Sequence, residues 1–336
     1  MRSALTGGFG FGGREVSSRL TEGAGRLHDS RDTVMDGVLI TDKPAGLTSH
    51  DVVNRVRHIL HERSVGHLGT LDPLATGVLP LVVGRMTRLA QFYNTSEKTY
   101  EGVIRFGFAT DTYDAEGEPL TEPRTIQVTL EELGELSARY RGRIRQMPPP
   151  FSAKKIHGVP AYKLARKHKE VELQPVEVEI KEFEVLDWDG ERACFRARVA
   201  SGTYMRSVAH EMGQVLGCGA HLASLRRTAL GEFAVSDARS LEELEEAAQQ
   251  GRAEELFVHP RKLLPEMPSV TANEENVARI RVGRAVNLPE LSRARQVKVF
   301  QGQSELIAIA TRVAGTLFHP KIVLAVEPQP TGNRAR

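Results

Sequence analysis

Asp72 lies in the segment Gly66-His67-Leu68-Gly69-Thr70-Leu71-Asp72-Pro73-Leu74-Ala75-Thr76-Gly77-Val78-Leu79-Pro80, where three glycines and two prolines fall within fifteen residues. Such a density fixes the backbone path of a loop, and a fixed loop can hold a reactive side chain in one place. The residue before a proline is driven to extended backbone, which turns the Asp72 carboxylate outward from a rigid turn. There it can act as a nucleophile or a base, or it can cap neighbouring amides, the common fate of an isolated Asp-Pro. His67 reads, by itself, as a loop histidine making one backbone bond. Other chemistries fail on spacing. His210-Glu211 begins a zinc-protease pattern, but Gln214 stands where the second histidine belongs. The two cysteines, Cys194 and Cys218, supply neither a disulfide framework nor a zinc set. Gly8, Gly10 and Gly13 have the spacing of a dinucleotide fingerprint with no strand to precede them.

The elements that must position the Asp72 loop show in the hydrophobic pattern. Residues 37–40 form a short apolar run, and Lys43-Pro44-Ala45-Gly46 is a turn. Ser49 is the expected N-cap of a helix on which Val52, Val53, Val56, Ile59 and Leu60 recur at helical spacing, with Asn54, Arg55 and Arg57 on other faces. Residues 102–108 and 194–199 alternate with the period of strands, which puts Phe195, Ala197 and Val199 inward and Arg196 and Arg198 outward. A helix after Tyr204-Met205-Arg206 carries Val208, Ala209, Met212 and Val215 on one face and ends near Gly217 or Gly219. Residues 240–250 read as an acidic helix, and beyond Pro260, Pro265 and Pro268 come short strands near 296–300, 306–310 and 322–326. Helices and strands do not alternate strictly, so the expected class is α+β with a mixed, largely antiparallel sheet. A domain boundary is expected near His259, dividing 35–259 from a β-rich 260–330.

Composition sets the outer limits. With 336 residues, 40% of them hydrophobic, the chain can build one large core and a smaller module. Residues 1–34, rich in Gly, Ser and Arg, read as a disordered extension or as an upstream start ahead of Met35. No stretch approaches the ~20 apolar residues of a membrane span, and a cytoplasmic protein is expected. The net charge of +2 conceals two basic tracts. Residues 139–169 hold ten Lys or Arg and no Asp or Glu, and residues 260–336 hold twelve basic against six acidic residues. Such surfaces suit either a polyanion, whose phosphates they would neutralise, or simple solvation.

The segment from Gly66 to Pro80, with Lys43-Pro44-Ala45-Gly46 upstream, resembles the signature of the bacterial tRNA pseudouridine-55 synthases, the TruB-type pseudouridine synthase family. Further matches follow in order: Lys98-Thr99-Tyr100, Thr110-Asp111-Thr112 with Asp114, and Gln146-Met147-Pro148-Pro149-Pro150-Phe151-Ser152-Ala153. Gly202-Thr203-Tyr204-Met205-Arg206 comes next, then Gly217-Cys218-Gly219-Ala220-His221 running into Leu225-Arg226-Arg227. The resemblance spans about residues 35–326.

That resemblance implies a pseudouridine-synthase catalytic domain followed by a small PUA-like RNA-binding domain. It makes Asp72 the catalytic aspartate, paired with Arg206, which would orient it and lower its pKa. Tyr100 would stack on the target base and is a candidate for removing its C5 proton, while Tyr204 and Leu225 line the same pocket. The target uridine must be flipped out of the stack, and His67 matches the residue set against the RNA there. Lys43 is expected at the substrate site or as support for its loop. The tract around 139–172 corresponds to an insertion that closes over RNA. The implied substrate is the T arm of tRNA, with the acceptor stem against the terminal domain. No cofactor, metal, membrane or obligatory protein partner is implied, and a monomer is expected. A single carboxylate can assist by attacking the sugar or by deprotonating it toward a glycal. Three rivals stand beside this reading: a guide-RNA-dependent paralogue acting on ribosomal RNA, a tRNA-folding chaperone without turnover, and a nucleoside hydrolase, which would need a second acid or base near Asp72.

Overall fold

The computed structural model describes residues 35–151, 173–290 and 292–325, with the backbone of 155–156 and 159–160. The expectations for residues 1–34 and for most of the basic tract beyond Phe151 lie outside these described residues. In chain order the described strands and helices are β1 (Gly37–Lys43), α1 (Ser49–Leu60), β2 (Val65–His67), β3 (Thr76–Val83), β4 (Lys98–Phe106), α2 (Leu130–Ala138) and β5 (Gly142–Gln146). There follow β6 (Lys155–Ile156), β7 (Val159–Pro160), β8 (Val176–Trp188), β9 (Arg192–Val199), α3 (Met205–Val215), β10 (Ala220–Leu230), β11 (Phe233–Ala234) and α4 (Leu241–Gln249). The chain ends in β12 (Ser269–Thr271), α5 (Glu274–Arg281), β13 (Val286–Asn287), β14 (Gln296–Gln301), β15 (Glu305–Ala314) and β16 (Leu317–Val323).

Two sheets carry the fold. The larger has nine strands in the order β1-β3-β10-β4-β9-β8-β5, with β2 paired to β3 and β11 to β10. Only the β3–β10 pair is parallel, so the sheet is mixed and mostly antiparallel, within the α+β class expected. The smaller sheet, β12-β14-β15-β16-β13, is β-rich and built by the last 60 or so residues. Phe195, Ala197 and Val199 of β9 are buried, while Arg196 and Arg198 reach Glu101, Glu97 and Glu182 on the outer face.

Two local expectations need correction. The N-cap of α1 is Thr48, whose hydroxyl accepts from the Asp51 amide while the Asp51 carboxylate accepts from the Thr48 amide. That capping box displaces Ser49 into the first turn, where it does other work. On α3, Val208, Ala209 and Met212 are buried as expected, but Val215 is 60% exposed. It is the last residue of the helix, where the chain turns through Gly217 toward β10, so the apolar stripe ends one turn earlier. The helix itself lies so close to the start of β10 that a Cβ on Gly213 would sit 2.1 Å from the Ala220 nitrogen.

Candidate active site

The Asp72 loop bridges β2 and β3, and residues from outside it hold its backbone. Ser49 does so from α1: its hydroxyl donates to the Leu71 carbonyl at 3.0 Å and accepts from the Leu71 amide at 2.8 Å. Lys43, at the end of β1, donates from Nζ to the carbonyls of Pro44 (2.8 Å), Leu47 (2.6 Å) and Pro73 (3.2 Å). Arg227, on β10, donates to Val78 (2.7 Å), Thr70 (3.3 Å) and Gly69 (2.9 Å). The Pro73 carbonyl also accepts from the Gly46 amide at 2.9 Å, which ties the loop to the turn after β1. Asp72 thus sits on a loop gripped on both flanks.

Its carboxylate meets Arg206, the second residue of α3. Nη2 of Arg206 donates to Asp72 Oδ1 at 3.1 Å, and Nε lies 2.9 Å from Oδ2, an ionic contact that is not aligned as a hydrogen bond. The guanidinium is only 6% exposed, whereas the Asp72 side chain keeps 38% of its surface open. Behind it, Arg206 Nη1 lies 3.4 Å from Asp114 Oδ2 and donates to the Thr112 carbonyl, while Nη2 also reaches the Phe151 carbonyl at 3.0 Å. Asp114 is 4% exposed and takes the Thr112 hydroxyl at 2.6 Å. Arg206 is therefore a buried hub between two carboxylates.

Asp72 faces a cleft of about 410 Å³ lined by His67, Lys98, Tyr100, Tyr204 and Leu225, with Arg206 at its base. Tyr100 on β4 is paired in register with Arg227 on β10. Leu225 stands two residues from Arg227 on the same strand face. Tyr204 is the N-cap of α3; its amide donates to Gln146 Oε1 and its carbonyl accepts from Gln146 Nε2, at 2.8 and 3.0 Å. His67 Nδ1 accepts from the Gly69 amide at 3.3 Å, the single backbone bond expected of it, leaving its other edge toward the cleft. Lys43 does not line the cleft: it is fully buried and its ammonium is committed to the three carbonyls, which is a support role.

Electrostatics correct one expectation. Burial pushes the Asp72 carboxyl above its ordinary value, with Arg206 opposing and Asp114 adding to the rise. The arginine acts in the direction expected, yet desolvation outweighs it. Burial, aided by the charge of Arg227, lowers His67 and brings Lys98 down to about 8; burial likewise brings Lys43 to about 8. The residues that sequence reasoning left without a role are Arg227, Lys98, Gln146 and Asp114, and it gave Ser49 a different one, the N-cap of α1. Lys98 carried a usable signal, since it precedes Tyr100 by two in a strand and so shares its face.

A carboxylate on a clamped loop, coupled to a buried arginine at the base of an aromatic cleft on a mixed sheet, is the arrangement that the resemblance to pseudouridine synthases implies. The fold resembles that of the chain solved in "Crystal Structure of a Cbf5-Nop10-Gar1 Complex", with a TM-score of 0.65, 26% identity, and coverage of 86% of this chain and 85% of that one. Residues 57–205 match the model of the TruB family pseudouridylate synthase N-terminal domain, and residues 206–267 that of the tRNA pseudouridylate synthase B C-terminal domain. The protein named tRNA pseudouridine synthase B in Solibacter usitatus is 50% identical over 293 residues, 86% of this chain and all of that one. The protein of the same name in Bacillus cereus (strain ATCC 10987) is 41% identical over 282 residues, 82% of this chain and 92% of its own. The chain belongs to the TruB family of pseudouridylate synthases, which are isomerases. The junction between the two family models, at residues 205 and 206, falls within one sheet, since β10 lies beyond it and pairs with β3 and β4.

Proposed function

We propose that the protein isomerises uridine to pseudouridine at position 55, in the T arm of tRNA, with Asp72 as the essential carboxylate. The observation that carries this reading is the Arg206–Asp72 pair at the base of a cleft whose walls are Tyr100, Tyr204, Leu225 and His67. A uridine in a folded arm is stacked and must be turned out before any protein group reaches its sugar, at a cost of a few kcal/mol. The cleft offers the extruded base the flat face of Tyr100 and the apolar Leu225, and His67, uncharged at neutral pH by burial, is placed to support the gap in the RNA.

In the reaction the bond from uracil N1 to the sugar C1′ breaks, a bond from uracil C5 to C1′ forms, the C5 proton leaves and N1 gains a proton. Asp72 assists by adding to C1′ or by removing a neighbouring sugar proton. Arg206 holds the carboxylate toward the sugar in either case, and Asp114 and the Thr112 carbonyl hold Arg206. Tyr100 lines the cleft beside Asp72, and it is the candidate for taking the C5 proton. Asp114 speaks against the hydrolase rival, because it is closed off behind Arg206 and does not face the cleft as a second acid. Relatives at 50% and 41% identity that carry the tRNA synthase name, against 26% for the Cbf5 chain, support a stand-alone tRNA enzyme over a guide-RNA paralogue. The same reading includes a cytoplasmic monomer and a PUA-like terminal domain, residues 260–330, against the acceptor stem.

Incubation with an unmodified tRNA transcript tritiated at uracil C5 tests it. Wild type should release tritium and Asp72→Asn should release none, while the variant's tRNA affinity stays within a few-fold because the shape persists and only the charge is lost. Tight binding without release from either protein would point to a folding chaperone, and release by Asp72→Asn would remove Asp72 from the chemistry.

A further inference from the structure

Arg206 is held by a loop and a helix that are joined, one turn further on, by a pair of rings. Tyr113 lies between Thr112, whose carbonyl Arg206 grips, and Asp114, whose carboxylate it meets. The Tyr113 ring stacks on His210 with centroids 3.7 Å apart and planes 11° from parallel. His210 is four residues after Arg206 on α3, so both project from one helix face. The stack therefore fastens the 112–114 loop to the helix that carries the arginine.

Two features show that the stack holds the loop in a conformation it would not otherwise keep. Tyr113 has φ +66, in the left-handed region that a bulky side chain rarely adopts and that glycine or asparagine would occupy more readily. Such a conformation persists where its surroundings over-determine it, and it occurs often at functional sites. The second is His210 Nδ1, which is buried with no hydrogen-bond partner among the described residues. The imidazole is fixed by its stack and not by a polar bond on that nitrogen. The strained residue and the one after it are tied to β10: the Tyr113 carbonyl accepts from the Leu222 amide at 3.0 Å, and Asp114 is bridged to Leu222.

We propose that Tyr113 and His210 are positioning residues that set Arg206, and through it the Asp72 carboxylate, by clamping the Thr112–Asp114 acceptors to α3. Neither ring lines the cleft, so their action on turnover passes through Arg206. The consequence for catalysis rests on the function proposed above, while the clamp itself can be read without turnover. Four variants separate ring, hydroxyl and backbone. Tyr113→Phe keeps the stack, Tyr113→Gly keeps the left-handed backbone and removes the ring, His210→Ala removes the other ring, and His210→Phe restores it.

Nitrogen-detected NMR of the Arg206 guanidinium, assigned against Arg206→Lys, gives the readout independent of activity. In wild type and Tyr113→Phe, Nη1 and Nη2 should give separate signals, because different acceptors stop rotation about Nε–Cζ. In Tyr113→Gly and His210→Ala the signals should merge, and His210→Phe should separate them again. Tritium release from tRNA should fall about tenfold or more in kcat, with KM little changed, in the two ring deletions. The double variant should be no slower than either single one, and calorimetry should show all of them folded. Signals that stay separate in both ring deletions, or a His210→Phe variant that fails to restore them, would overturn the clamp whatever the activity. A wild type with separate signals but no tritium release would instead refute the functional reading and leave the clamp standing.

Discussion

Asp72 works in opposing fields. Desolvation lifts its carboxyl above the ordinary 3.8, Asp114 adds to the lift and Arg206 pulls back, with the lift prevailing. If the ionised form is the reactive one, kcat at saturating tRNA should lose activity on acidification at a pH above the normal aspartate range, and a pH profile of tritium release measures it. An acid limb at or below 3.8 would mean that the arginine outweighs burial. The sign for stability follows from the same shift. A carboxyl raised in the folded state contributes stability that is present below the unfolded pKa and lost as pH rises through the folded one. At neutral pH the ionised Asp72 thus burdens the fold, and Asp72→Asn should melt no lower than wild type. Asp72 and His67 were legible in a segment dense in glycine and proline, whereas Tyr100, Tyr204, Leu225 and Arg206 were reached only through the resemblance. Arg227 and Ser49 were not, since nothing in a linear string tells a buried guanidinium gripping three carbonyls from Arg226 beside it, which pairs with Asp42 on the opposite face.

At the scale of elements, the glycines of the loop were legible as rigidity but not as contact. Gly77 has φ +100, and a Cβ there would lie 2.2 Å from the Arg227 carbonyl, at the point where β3 and β10 run parallel. Gly77→Ala would incur about 1–2 kcal/mol for the backbone alone, and the clash would push β10 away, carrying with it the arginine that holds Gly69 and Thr70. Turnover and thermal stability should therefore fall together in Gly77→Ala, in contrast to Asp72→Asn, and a melt beside a tritium assay distinguishes the two. Helices α1 and α3 were readable from their 3.6-residue period and α4 from its acidic composition. Strand β10, central to the site, was read only as a motif and not as a strand. Its Ala-His-Leu-Ala-Ser-Leu-Arg-Arg-Thr-Ala-Leu run has register shifts between Leu222 and Ser224 and between Arg227 and Ala229, which break the period of two.

The whole molecule joins its two sheets through apolar packing. One buried cluster contains Val38, Ile40, Leu68, Val78, Leu230 and Phe233 from the catalytic sheet and its loop, together with Phe300, Leu306, Ile309, Ile322 and Leu324 from the terminal segment. The prolines near 260–268 marked a domain boundary, and the pattern of apolar residues could not reveal that the two sides bury into one another. Leu68 in this cluster is four residues from Asp72, so the terminal sheet shares the apolar core that underlies the loop. A cavity made in that shared core should therefore be felt in the catalytic sheet. Ile309→Ala, at a fully buried position, should remove about 2–5 kcal/mol. The chain's single tryptophan, Trp188 on β8, packs edge-on against Phe106 and so reports the catalytic sheet alone. If the sheets unfold as one cooperative unit, the Trp188 fluorescence transition in urea should move to lower concentration in Ile309→Ala and coincide with the far-ultraviolet circular dichroism. A Trp188 transition that stays in place while the dichroism splits into two steps would show that the terminal sheet unfolds independently and lends the site no stability.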